Sequence, residues 1–353
     1  MNKTITVCIA TYNSQKYLDR VLKSIRDQTY SQDKVKILIV DGGSTDTTVS
    51  IAQKYDSRIL KNSRVEPVYA KFLGYKESKT DYLIYLDHDE VLENKESFQL
   101  KVDVLNRYPN VYAVLSSGYT IPHNSSFINR YISEYGDPFS FYMYRSSKNS
   151  RTYFKEMYDI YGVKKIDNKY AVLDFSKRTN LPLIELSSAG SLINLKKVKK
   201  DFMQIEQDSE LIPQLFYLTV SKQSTVAITV NDAVIHYSSD SFHGYKKKLL
   251  WRIKNNIFFK NSVGRAGFSG RQTSKESSIN KFKSHLFIPY TYSLILPIVD
   301  SLFLAWRNKN LNYIVHTYLC LYVATYIMYF YLLAIIRVPV LFKNYDDTKT
   351  IKE

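Results

Sequence analysis

The sequence predicts an α/β fold, with a mostly parallel sheet covered by helices and a helical, membrane-associated region after it. Two observations predict this. Short aliphatic runs alternate with amphipathic stretches through the first third of the chain, and two long apolar runs, at 286–306 and 311–336, stand near the C-terminus.

Thr4–Ala10 is a β-branched apolar run bounded by polar residues, the pattern of a buried strand. Tyr17, Val21 and Ile25 then recur at four-residue spacing, with Leu18 and Leu22 beside them, which predicts a helix capped by Ser14. Val35–Val40 is the next strand, and Ser44 starts a second helix with Asp46 in its first turn, where the helix dipole favours an anion. Glu66–Ser78 reads as a helix, Tyr82–Leu86 as a strand, Val104–Asn106 as a helix end and Val111–Ser116 as a strand. Strands separated by helices imply right-handed crossovers and a parallel sheet covered on both faces. From Tyr119 to Ser188 the pattern blurs into an aromatic-rich stretch without a clean period. Order returns with a helical Ser209–Leu218 and a strand-like Thr225–Val230.

The expected organisation is a first domain over 1–240, with halves at 1–118 and 119–240. A basic amphipathic juxtamembrane region at 241–285, apolar membrane helices at 286–342 and a polar tail at 343–353 follow. Hydrophobic content of 45% against 23% charged residues excludes a disordered chain. Net charge is +16, and +10 of it falls between Phe242 and Lys283, where eleven Lys or Arg meet one acid, Glu276. Such a block suits nucleic acid, anionic headgroups or phosphorylated substrates. Apolar residues interleaved over Lys246–Lys260, and the apolar runs that follow, favour lipid over nucleic acid.

Leu311–Ile336 contains no Asp, Glu, Lys or Arg and is long enough to span a bilayer. Leu286–Trp306 carries Asp300, Pro289 and Pro297, which suit a kinked or interfacial helix. Ile5–Ala10 is too short for a signal peptide, so the catalytic part is expected on the cytoplasmic face of the cell membrane. The two cysteines, Cys8 and Cys320, have no C-x-x-C spacing, which argues against a zinc site or disulfide framework.

Ligands of parallel α/β sheets sit beyond the carboxyl ends of the strands. Three groups fall there: Ala10-Thr11-Tyr12-Asn13, Asp41-Gly42-Gly43-Ser44-Thr45-Asp46 and Asp87-His88-Asp89. Carboxylates one residue apart after a strand can share Mn2+ or Mg2+ with substrate phosphates, and the cation neutralises a departing diphosphate. A lone D-x-D is also a common surface turn; its place after Tyr82–Leu86 favours the functional reading. Asp41 offers acceptors to a base or ribose and Tyr12 a ring to stack on, although Asp-Gly-Gly alone could be a strand-to-helix turn.

Ile9-Ala10-Thr11-Tyr12-Asn13, Val40–Asp46, Ala70-Lys71-Phe72-Leu73-Gly74 and Leu86-Asp87-His88-Asp89 resemble, in order, the motif series of glycosyltransferase family 2, with the GT-A fold. The resemblance runs over roughly residues 4–240 and implies that the domain over 1–240 is catalytic, with a nucleotide-sugar half at 1–118 and an acceptor half at 119–240. It implies that Thr11, Tyr12, Asn13 and Asp41 bind the nucleotide, with Asp87 at the ribose and Asp89 at the metal. Lys71 stands where the family often has Arg, keeping the charge but losing the planar fork. The family's acidic pair followed by Glu-Leu is matched by Gln207-Asp208-Ser209-Glu210-Leu211, with Gln in place of the first acid. By resemblance Asp208 is the general base of an inverting transfer; the competing reading is a helix N-terminal acid.

His236 is a further candidate near the diphosphate or metal. Arg265 and Arg271, on a glycine-rich stretch, either hold an acceptor phosphate or face solvent. The function implied is sugar transfer from a nucleotide-diphosphate sugar to a membrane-associated, polyprenyl-linked acceptor in cell-surface glycan synthesis. Transfer to a capsule or teichoic-acid-like polymer, and a non-catalytic membrane scaffold, are the alternatives. Nucleotidyl transfer would prefer a Gly-rich basic loop after the first strand, and Ala10–Asn13 is not one.

Overall fold

The computed structural model describes residues 3–176, 181–238, 241–259, 278–343 and 350. The chain opens with β1 (Ile5–Thr11), α1 (Leu18–Arg26), β2 (Val35–Asp41), α2 (Thr48–Gln53), β3 (Arg58–Lys61), α3 (Pro67–Glu77), β4 (Tyr82–Asp87) and β5 (Glu90–Leu92). Next come α4 (Ser97–Arg107), β6 (Ala113–Leu115), β7 (Tyr119–Thr120), α5 (Phe127–Tyr135), α6 (Pro138–Tyr144), α7 (Tyr153–Ile160), β8 (Gly162–Ile166) and β9 (Tyr170–Asp174). After β10 (Leu192–Asn194) follow α8 (Leu195–Asp201), α9 (Leu215–Lys222), β11 (Thr225–Thr229), β12 (Val234–His236) and α10 (Phe242–Phe258). The C-terminal helices are α11 (Ser278–His285), α12 (Phe287–Tyr292), α13 (Ile295–Arg307) and α14 (Val315–Ile335).

Two compact units result: one from 1–122, 148–178 and 184–237, the other from 123–147, 179–183 and 238–353. Residues 123–147, assigned above to the acceptor half of the catalytic domain, thus fold with the C-terminal helices. Their aromatic side chains explain this, because Tyr131, Tyr135, Phe141 and Tyr142 are buried in the apolar cluster of the second unit.

In the first unit a nine-stranded sheet runs β3-β2-β1-β4-β10-β6-β11-β9-β8. β3, β2, β1 and β4 are parallel, as the alternating pattern predicts. The expectation of a mostly parallel sheet needs correction beyond β4. β10 runs antiparallel to both β4 and β6, and β9 runs antiparallel to β11 and β8, so the sheet is mixed. β10 follows a loop rather than a helical crossover, so nothing forces it parallel.

β1, β2 and β4 are covered on both faces, which is why they read as continuous aliphatic runs. Burying each Ile or Leu fully stabilises the fold by roughly 1.5–3 kcal/mol. α1 lays Leu18, Val21, Leu22 and Ile25 on this core. α3 is capped by Glu66, whose carboxylate accepts from Val68 and Tyr69 amides at 2.8 and 2.6 Å, with Pro67 in the first turn.

The helix expected from Ser44 begins only at Thr48, because Asp46 turns its carboxylate onto the Thr48 amide and hydroxyl. The helix expected at Ser209–Leu218 is broken into a short 3₁₀ turn, Ser209–Leu211, and α9, because Pro213 interrupts it. A second sheet, β5-β12-β7, pairs His236 with Glu90 and Val234 with Tyr119. Beneath it, fully buried Lys101 on α4 reaches Asp232 at 2.9 Å and the Ser97 and Ser116 hydroxyls, which fixes the turn leading into β12.

In the second unit α10 turns Tyr245, Leu249 and Ile253, at four-residue spacing, into the cluster formed with α5, α6, α12, α13 and α14. That part of the predicted headgroup-facing apolar stripe is therefore buried within the unit. Residues 311–335 form one helical stretch whose most apolar 18 residues have a mean hydropathy of 1.8, the one described helix long and apolar enough to cross a membrane. Phe282–Tyr292 and Ile295–Arg307 meet at 91°, the bend expected of a run broken by proline. Asp300, the one acid in that run, is compensated by Arg145 and the Tyr290 hydroxyl.

Candidate functional site

The rim of the first unit is built by strand register. Thr11 lies opposite Asp41, and Ala10 opposite Asp87, so β1, β2 and β4 end at one level. The three sequence groups predicted to share a rim therefore do so.

At the first corner Asp41 organises its own turn. Its Oδ1 accepts from the Thr11 and Ser44 hydroxyls at 2.9 and 2.6 Å, and its Oδ2 from the Gly43 and Ser44 amides at 2.9 and 2.8 Å. A carboxylate has about four acceptor positions, so the chain itself occupies this one's capacity. Asn13 adopts φ +48°, donates its amide to Ser44 Oγ and accepts from the Thr45 amide, each at 2.9 Å. Gly43 at φ +86° lets the turn close. The result is a preformed shelf beside the Tyr12 ring, which leans on Gly42.

At the second corner α3 delivers Lys71, only 8% exposed, to Asp87; Nζ and Oδ1 are 2.7 Å apart. Burial alone would lower the lysine's pKa, but the adjoining Asp87 carboxylate outweighs it and holds the ammonium above its ordinary range. The Tyr85 hydroxyl bonds the Lys71 carbonyl at 2.8 Å and pins that turn of helix to β4.

Asp89 is buried, its carbonyl accepts from the Tyr237 amide at 2.9 Å, and its Oδ2 lies 3.9 Å from His236 Nε2. β12 brings His236 there, and Tyr119 stacks on its ring at 4.6 Å between centroids. Among the described residues no three His, Cys, Asp or Glu side chains converge as a complete metal shell. Asp87 and Asp89 have the donor chemistry such a site needs, because Mg2+ and Mn2+ bind through one or two carboxylates and complete their coordination with water and substrate phosphates.

Asp208 is half-buried at the start of the Ser209–Leu211 turn and accepts from the Glu210 amide at 2.8 Å. That turn packs against α3, the helix carrying Lys71. Arg265 and Arg271 lie outside the described residues.

Glu90 was missed by the sequence reasoning. It is fully buried directly after Asp89, and its carboxyl is pushed up to about 8, first by burial and then by the Asp87 charge. The signal was present as a third acid at a β4 end that the topology buries.

Residues 6–168 match the family model of glycosyl transferase family 2. These residues form a family 2 glycosyltransferase domain. A poly(ribitol-phosphate) beta-N-acetylglucosaminyltransferase of Staphylococcus aureus is 30% identical over 100 residues, 27% of this chain and 17% of that protein. A Methanococcus voltae dolichyl N-acetyl-alpha-D-glucosaminyl phosphate 3-beta-D-2,3-diacetamido-2,3-dideoxy-beta-D-glucuronosyltransferase is 30% identical over 108 residues, 27% of this chain and 34% of its own. This chain thus matches about a sixth to a third of the length of those curated relatives. A Pyrobaculum calidifontis mannosyltransferase, solved with GDP-Man and Mn2+, superposes with a TM-score of 0.53 at 12% identity, over 93% of this chain and 88% of that one. Its likeness shows a shared GT-A-like fold.

Proposed function

We propose that the protein is an inverting glycosyltransferase that moves a sugar from a nucleotide-diphosphate donor to a membrane-associated, polyprenyl-linked acceptor in cell-surface glycan synthesis. The register of β1, β2 and β4 carries the reading: Thr11 and Asp41 stand level with Asp87, and Lys71 is buried against that carboxylate. A nucleotide lies on the shelf of Thr11, Tyr12 and Asn13, which Asp41 braces from within, with Tyr12 under the base and Asp87 at the ribose. Lys71 supplies fixed positive charge beside the diphosphate.

Asp89, with Asp87 and His236, would hold Mn2+ or Mg2+, and the cation when bound would supply charge neutralisation for the departing diphosphate. Asp208 takes the proton of the acceptor hydroxyl as its oxygen bonds the anomeric carbon. The bond from that carbon to the diphosphate breaks on the opposite face with its electron pair, so configuration inverts. Arg265 and Arg271 remain candidates for the acceptor phosphate.

The membrane part rests on side chains left in the open on α13, on α14 and between them. Ile295, Trp306, Leu311 and Ile335 are each more than 70% exposed, an apolar surface that lipid covers well. The basic block at 242–283 suits anionic headgroups on the cytoplasmic face. Similarity to a transferase named for poly(ribitol-phosphate) supports a second reading, in which a teichoic-acid-like or capsular polymer is the acceptor.

Calorimetry on detergent-purified protein with UDP, GDP, CDP and dTDP, with and without Mn2+, tests the core of this reading. Metal-dependent binding of one nucleotide, lost in Asp89→Ala, supports it; no binding under any condition moves a non-catalytic scaffold to the front.

A further inference from the structure

Among the described residues, buried Glu90 has no cationic partner in its hydrogen-bonding set, and its side-chain bonds go to segments that frame the rim. Its Oε2 accepts from the backbone amides of Asp87 at 3.0 Å and Ala189 at 2.8 Å, and its Oε1 from the Tyr119 hydroxyl at 2.5 Å. The Ala189 bond fastens the 187–190 turn from the side of β5. Ala189 and Gly190 both adopt left-handed conformations, φ +57° and +63°. For a residue with a Cβ this conformation is strained. The Gly190 amide reaches the Tyr85 carbonyl at 3.2 Å, so the same turn is tied to β4 just before the acidic motif. Tyr119 in turn stacks on His236, whose Nε2 faces Asp89. One side chain therefore joins the backbone of Asp87, the 187–190 turn and the ring behind His236.

We propose that Glu90 is a positioning residue that fixes the Asp87–Asp89 turn for metal-dependent donor binding, acting through its two backbone bonds and Tyr119. The inference rests on the donor-binding reading above. Geometry carries it, because both amides converge on one oxygen and the hydroxyl on the other. Glutamine reproduces that arrangement: its carbonyl oxygen takes both amides, and its NH2 donates to the Tyr119 oxygen. Aspartate keeps the carboxylate but is shorter by one methylene, which withdraws the oxygen from amides on two separate segments.

The experiment compares wild type, Glu90→Gln and Glu90→Asp in the full chain in detergent. The probe is whichever of UDP, GDP, CDP and dTDP the wild type binds best, titrated with and without MnCl2, and the readout is the ratio of the two affinities. A general loss of stability does not move that ratio, and melting temperature is recorded beside it. Glu90→Gln is expected to keep the ratio within about threefold of wild type, and Glu90→Asp to lower it at least tenfold. Glu90→Asp behaving as wild type, or Glu90→Gln falling with it, overturns the proposal while the donor reading stands. A wild type that binds no nucleotide removes the donor reading, and the role of Glu90 with it.

Discussion

Lys71 Nζ stands 2.7 Å from Asp87 Oδ1, and the lysine is the more enclosed partner, with 11% of its side chain exposed against 35% for the aspartate. An ammonium in such a slot stays charged because its counter-charge is built in, and removing one member leaves the other uncompensated. Lys71→Met, similar in volume but neutral, is expected to weaken Mn2+-dependent nucleotide binding at least tenfold, measured by calorimetry. Lys71→Arg restores the charge and is expected to recover most of that loss.

As the proposed general base, Asp208 is expected to bear on chemistry rather than on donor binding. Asp208→Asn keeps an oxygen for the Glu210 amide but cannot accept the acceptor's proton. Turnover should fall by about 10²–10⁴ while nucleotide affinity stays within twofold. A variant with normal turnover removes Asp208 from the mechanism.

The packing of α3 on β1 makes a separate prediction. A Cβ at Gly74 would sit 2.1 Å from the sulfur of Cys8, inside contact distance. Gly74→Ala should destabilise the protein by about 1–3 kcal/mol, read as a lower denaturation midpoint. Pairing it with Cys8→Ala removes the opposing sulfur, and the double variant should recover part of the loss. Burial pushes the Cys8 thiol up to about 12, so thiol reagents should leave the folded protein unmodified there.

Asp81 gives the fold a dependence on pH. Burial alone would raise its pKa, but hydrogen bonds from Lys196 and from the Thr4 amide and hydroxyl outweigh that and lower it from 3.8 to about 2. A depressed carboxyl contributes stability that is complete above its unfolded pKa and lost as pH falls through the folded one. That contribution, at most about 2 kcal/mol and reduced by the exposure of Lys196, should disappear between about pH 5 and pH 2. Asp81→Asn should flatten the denaturation midpoint over that interval, and an unchanged acid profile would count against the assignment.

How far these features were legible in the sequence depended on how local their causes are. β1, β2 and β4 are buried on both faces, so their composition alone announces them, and the rim groups follow from the ends of those runs. β8 was invisible for the opposite reason: Gly162–Ile166 is an edge strand with two lysines and a largely exposed surface. α5 and α6 escaped because their aromatic residues are packed on several sides, which erases a one-sided period. Glu90 escaped because three-residue β5 is defined by its partners, β12 and the Ala189 turn, which lie about a hundred residues or more further along the chain.

β10 has a consequence for how the chain must be made. Leu192–Asn194 fills the gap between β4 and β6, yet it leaves the ribosome 105 residues after Asp87 (192 − 87). At roughly 5–20 residues per second, Tyr82–Asp87 spends several seconds with an apolar, unpaired edge. Nascent chains should therefore be most prone to self-association while 88–191 emerge. A fragment stopping at residue 168, where the family match ends, would carry that open edge permanently and should aggregate, whereas one reaching past β12 closes the sheet.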